Sequence, residues 1–207
     1  LSLFIIFLIL SCMKCMKEIF INDIISDKLV VEMNNKIEVA LIAPNNEKIL
    51  GGANTDPPLG LAFIAAVAED SGLANVRLVD LAIPSNKLDK ERIGYADIYC
   101  LSVFTCGTQW AKGMLNLCKE INPKSIVVVG GSHPTARPDD MIREGFDIVI
   151  AGEGEYLFLD IIKQVSNGKK LADLKGQIFK NGVVNNLDKL PWKRAYEMVD
   201  LDNYKQM

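Results

Sequence analysis

The residues with the chemistry to serve a ligand fall in three short turns. Gly130-Gly131-Ser132-His133 and Gly152-Glu153-Gly154-Glu155 each follow a run of branched apolar residues, and Ser102-Val103-Phe104-Thr105 ends a third. Glycines just past a buried strand let backbone approach a ligand closely. The hydroxyls of Ser102 and Thr105 and the carboxylates of Glu153 and Glu155 add hydrogen-bonding groups. His133 is the only histidine of the 207-residue chain, which makes it the obvious candidate for a metal-ligating imidazole. Cys12-Lys-Met-Cys15 also has metal-ligand spacing, but no second ligand pair follows, and the pair reads as adventitious.

Such turns need strands to hold them. The unbroken Val and Ile runs at Ser125 to Val129 and Asp147 to Ala151 suit strands covered on both faces, as in a parallel sheet between helix layers. Three more strands are expected at Ile37 to Ala43, Val76 to Leu81 and Asp97 to Val103. Helices are expected at Leu59 to Asp70, entered through Pro57-Pro58, then at Lys87 to Ile93, Gln109 to Ile121 and Glu155 to Val165. The alternation predicts an α/β fold: a flavodoxin-like (Rossmann-like), doubly wound, five-stranded parallel sheet in the order 2-1-3-4-5. The loops Pro44 to Gly60, Ser102 to Gly107, Gly130 to Pro134 and Gly152 to Glu155 then share one edge, a site for a cofactor that pattern alone does not name. After Gly168, Asn181-Gly182 signals a two-residue β-hairpin inside a linker.

Composition narrows the partners. An apolar fraction of 49% with 24% charged residues is enough to bury a full core, and a net charge of −3 gives no electrostatic case for nucleic acid. Five scattered cysteines, with Cys100 in a strand and Cys118 in a helix, point to a reducing, cytoplasmic setting and to buried thiols. Leu1 to Leu10 is apolar but too short to span a bilayer. Residues 1–35 read as a fragment end, a mis-start or a disordered extension, with a natural start at Met13, Met16 or Met33 and with Leu1 to Glu32 dispensable for folding; a lipoprotein signal ending at Ser11-Cys12 is the alternative.

Taken together, Pro57-Pro-Leu-Gly-Leu-Ala-Phe-Ile-Ala-Ala66, Ser102-x-x-Thr105, Gly130-Gly-Ser-His-Pro-Thr135, Gly152-Glu-Gly-Glu155 and Leu187-Asp-Lys-Leu-Pro191 resemble the amino-terminal cobalamin-binding domain of the cobalamin-dependent (class B) radical S-adenosylmethionine enzymes. The resemblance covers about Ile37 to Tyr204. It implies a cobalamin-binding domain at 36–167 and a hairpin and linker at 168–207 leading to an absent radical S-adenosylmethionine barrel. The corrin would lie across the carboxyl edge, above the loop from Pro44 to Gly60 with its Pro58, Leu59 and Gly60. Its nucleotide tail would enter a crevice where side chains at Gly130, Gly131, Gly152 or Gly154 would collide with it. Ser102 and Thr105 would serve the tail or phosphate, with His133, Glu153 and Glu155 nearby. Helix capping is the alternative for Ser102 and Thr105, and a favourable helix dipole for the two glutamates.

Fold relatives that ligate cobalt through histidine carry it directly after the first strand, where this chain reads Pro44-Asn-Asn-Glu-Lys-Ile-Leu-Gly51. The resemblance therefore implies base-off cobalamin with no histidine ligand and no protein-held metal. The family's Cys-x-x-x-Cys-x-x-Cys is absent, so S-adenosylmethionine and its 4Fe–4S cluster would belong to a carboxyl-terminal domain acting in cis or in trans. The implied reaction is methyl transfer, and this chain is not catalytic alone. Two other readings are a stand-alone corrinoid-binding or sensor module and a flavodoxin-like nucleotide-binding enzyme domain. The second lacks a compact Gly-x-Gly-x-x-Gly turn after the first strand.

Overall fold

The computed structural model describes residues 36–45, 49, 56–199 and 201–205. The expectations for residues 1–35, including Cys12 and Cys15, lie outside the described residues, as does most of the loop between Pro44 and Asp56.

Six strands form one parallel sheet in the order β2-β1-β3-β4-β5-β6: β1 Ile37–Ala43, β2 Ala74–Asp80, β3 Ile98–Ser102, β4 Ile126–Gly130, β5 Ile148–Gly152 and β6 Gln177–Gly182. The first five repeat the expected order, with ends within two residues of expectation. Their side chains alternate between two apolar layers, as the twofold strand period requires. On one face Val39, Leu41, Cys100, Val128 and Ile150 pack under α1 (Leu59–Asp70) and α6 (Glu155–Ser166), through Leu61, Ala65, Phe158, Ile161 and Ile162. On the other, Ala40, Tyr99, Leu101, Val127 and Val149 meet α2 (Asp89–Ile93) and α3 (Thr108–Ile121), through Ile93, Ala111, Met114 and Cys118. Each fully buried Val, Leu or Ile side chain contributes about 1.5–3 kcal/mol relative to exposure. Covering both faces is therefore what holds the strand ends in place.

Two short helices, α4 (Ser132–Ala136) and α5 (Pro138–Arg143), fill the β4–β5 connection, where no helix was expected. Cys100 and Cys118 are buried free thiols, and burial pushes both up to about 12. That agrees with their reading as small apolar residues.

The expected hairpin at Asn181-Gly182 is not formed. Gln177–Gly182 instead adds to the sheet as β6, parallel to β5. Asn181 does take the left-handed conformation, at φ 63, that an Asn-Gly turn exploits. Here it forms a bulge: Ala151 faces Lys180 and Gly152 faces Gly182, so Asn181 is the extra residue between them. The segment after Gly168 is thus continuous with the sheet, and Leu174 is fully buried in the α1–α6 layer. Farther on, α7 (Trp192–Met198) lies on α1, where Ala195 and Val199 pack against Ala62 and Ala66. Arg194 joins the same pair of helices through both oxygens of Glu69, with Nη2 to Oε1 at 2.9 Å. A final short helix, α8, covers Leu201–Lys205.

Candidate functional site

The carboxyl ends of the first five strands and the start of α1 enclose a cavity of about 730 Å³. Its position follows from topology. β1 connects to β2 on one side, whereas the chain returns to pair β3 on the other, and this reversal opens a crevice at the strand ends. The cavity takes Ala43 and Pro44 from the end of β1, Asp80 and Ala82 from that of β2, and Cys100 to Ser102 from β3. Gly130 and Gly131 follow from β4, and Ile150 with Gly152 to Glu155 from β5. Asp56 to Leu61 and Ile64 close it from the side of α1.

Ten of the twelve residues singled out from the sequence line this cavity: Pro58, Leu59, Gly60, Ser102, Gly130, Gly131, Gly152, Glu153, Gly154 and Glu155. Thr105 and His133 do not. They stand side by side outside the lining, with His133 Nδ1 3.3 Å from Thr105 Oγ1. Neither Ser102 nor Thr105 caps the helix that follows: the residue before α3 is Gly107, and no side chain caps either that helix or the short 3-10 turn at Thr105–Gly107.

The glycines differ in what they permit. Gly131 has φ 108, and a Cβ there would fall 2.8 Å from Val103 O and 2.9 Å from Val103 N, so the chain's own backbone demands glycine. Gly130 has ordinary space, with its nearest neighbours Ile150 O at 3.7 Å and Ile150 Cβ at 3.8 Å. Thr135 links the two glycine turns, its Oγ1 donating to Gly131 O at 2.8 Å and accepting from Gly152 N at 3.0 Å.

The two glutamates also part company. Glu153 is turned to its own chain, where its Oε2 accepts from Val184 N and its backbone N donates to Gly182 O at 3.3 Å. Glu155 opens α6, where the helix dipole favours its charge, and its buried Oε2 has no hydrogen-bond partner among the described residues.

Asp80 was not singled out from the sequence. It is 8% exposed, lines the cavity, and its Oδ1 accepts from Ala82 N at 2.8 Å. Its Oδ2 is buried without a partner among the described residues. Burial raises its pKa, opposed by the Ala82 amide and by the nearby Arg92. The apolar contributors Ile64, Phe104 and Ile150 also went unmarked, being indistinguishable in sequence from core residues. What results is an apolar cleft with glycine edges and two unsatisfied carboxylate oxygens. It suits a slender group bearing hydrogen-bond donors, attached to a larger body outside.

A family model described as B12 binding domain matches residues 53–162, more than half of the chain. An uncharacterized methyltransferase of Pyrococcus horikoshii is 28% identical over 193 residues, covering 82% of this chain and 40% of its own length. An anaerobic magnesium-protoporphyrin IX monomethyl ester cyclase of Rubrivivax gelatinosus is 28% identical over 148 residues, covering 66% of this chain and 26% of its own. The chain thus spans less than half the length of these curated relatives. Among solved structures, the cobalamin-dependent S-adenosylmethionine radical enzyme OxsB, with aqua-cobalamin and S-adenosylmethionine bound, shares the fold at a TM-score of 0.59. The sequences are 19% identical, over 79% of this chain and 25% of that one.

Proposed function

The chain belongs to the B12-binding domain family, and from that premise we propose that it holds cobalamin at the carboxyl edge of its sheet as the amino-terminal part of a radical S-adenosylmethionine methyltransferase. The observation that carries this reading is the glycine-edged cavity between α1 and the strand ends, which ten residues chosen from the sequence line together. Its size suits the narrow nucleotide tail, with the broad corrin spread over the loops outside. Gly130, Gly131, Gly152 and Gly154 give backbone approach along the tail, and Ser102 offers a hydroxyl. Pro58, Leu59 and Gly60 would sit beneath the ring, with Thr105 and His133 beside the tail and Glu153 and Glu155 at the β5 turn.

When bound, cobalamin supplies a cobalt centre able to carry a methyl group. The contribution of this chain is to orient the cofactor and shield its lower face. His133 is engaged with Thr105 outside the cavity lining, which supports a base-off state without a histidine ligand. Both the S-adenosylmethionine site and the 4Fe–4S cluster would lie in a carboxyl-terminal barrel, in cis or in trans; the greater length of the relatives supports that arrangement. Equilibrium dialysis against cobalamin, FMN and NAD tests the reading. Saturable retention of cobalamin alone is expected, and retention of FMN or NAD in its place would overturn it.

A further inference from the structure

Asp80 poses a chemical question that the fold does not answer. It ends the edge strand β2 as a residue only 8% exposed, and its Oδ1 is used within the chain by Ala82 N. Arg92 donates to the Asp80 backbone carbonyl and so leaves the second carboxylate oxygen unserved. That oxygen, Oδ2, is buried without a partner among the described residues, on a residue that lines the cavity. A buried acceptor left unpaired is destabilising, so such a group in a ligand cleft signals a donor brought by the ligand. Glu155 Oε2 is in the same condition, but it opens a helix whose dipole already favours its charge. No helix begins at Asp80.

This inference rests on the cobalamin reading above. Cobalamin carries primary carboxamides around its ring, and its propionamides project from the ring face that also bears the nucleotide tail. We propose that Asp80 is a specificity residue, whose Oδ2 accepts a hydrogen bond from one lower-face propionamide and thereby selects an amidated corrinoid over one bearing a carboxylate at that position. A carboxylate there would place two acceptor-only groups of like charge against each other in a buried site, which combines a lost hydrogen bond with repulsion.

The test measures binding of cobalamin and of its b-, d- and e-monocarboxylic acids to the full chain, as wild type and as Asp80→Asn. Wild type is expected to bind one of the three acids at least about tenfold more weakly than cobalamin, and the other two within about threefold. Asp80→Asn keeps an oxygen for the Ala82 amide and puts an N–H donor where Oδ2 was. It should weaken cobalamin binding by about tenfold, through the lost acceptor, and erase the penalty on that one acid relative to cobalamin. If the asparagine variant does not fold, Asp80→Ser retains a short acceptor for Ala82, removes the charge, and should erase the same penalty. Equal affinities for all three acids in wild type, a penalty spread evenly over them, or one that persists in both variants would overturn the assignment while leaving cobalamin binding intact. Failure of wild type to bind cobalamin would bring down both readings together.

Discussion

Gly130 and Gly131 are neighbours, yet a side chain at each would meet different things. At Gly131 the obstacle is the backbone of Val103, together with a left-handed φ. Gly131→Ala should therefore lower stability by about 1–3 kcal/mol before any ligand is added, measurable by urea denaturation. At Gly130 a Cβ has ordinary room beside Ile150, so a side chain can start there without the backbone clash found at Gly131, and the residue lines the cavity. Gly130→Leu should leave the urea midpoint nearly unchanged and weaken cobalamin binding by about a hundredfold or more; equal affinity for both proteins would show that the tail does not use this cleft. Asp80 provides a pH signature. Burial raises its carboxyl above the ordinary 3.8, so the folded chain holds that proton more tightly than the unfolded chain. Ionising it as pH climbs from 3.8 through the raised folded value therefore costs stability. Asp80→Asn should accordingly raise the Tm of the ligand-free chain above that window and leave it unchanged below. A gain independent of pH would assign the effect to something other than this carboxyl.

At the scale of elements, the α1–α7 contact is built from small residues, Ala62 and Ala66 facing Ala195, which lets the two helices approach closely. Ala195→Leu should overpack it and cost about 1–3 kcal/mol. Arg194→Ala, which removes a half-exposed ion pair to Glu69, should cost roughly 0.2–1 kcal/mol. Paired urea titrations decide, and the reverse ranking would mean that the ion pair, not the packing, fastens α7. The first five strands were legible because their Val and Ile runs have one structural solution once helices alternate with them. β6 was not legible. Gln177-Ile-Phe-Lys-Asn-Gly182 is short and half polar, and Asn181-Gly182 signals a left-handed residue without saying whether the chain reverses there or bulges. The glycine turns of the site were legible because each sits directly after a buried run. Asp80 was missed because the expected strand continued to Leu81, which put Asp80 inside the strand rather than at its carboxyl end, where a side chain can enter the cleft. The 132–143 helices escaped because they are short and Pro134 and Pro138 obscure any helical period.

Across the whole fold, Val183, Leu187, Trp192, Tyr196 and Leu201 are exposed beyond β6. A barrel supplied in cis or in trans is expected to cover part of this set and to reduce acrylamide quenching of Trp192; unchanged quenching in an active complex would place the contact elsewhere. The measurement that bears most directly on the central claim is the absorption spectrum of the full chain titrated with aquacobalamin, beside its His133→Ala and Gly130→Leu variants. A saturable change to a base-off spectrum is expected in wild type, the same spectrum in His133→Ala, and none in Gly130→Leu. A nitrogen-ligated spectrum that disappears in His133→Ala, or no change in wild type at all, would contradict that claim.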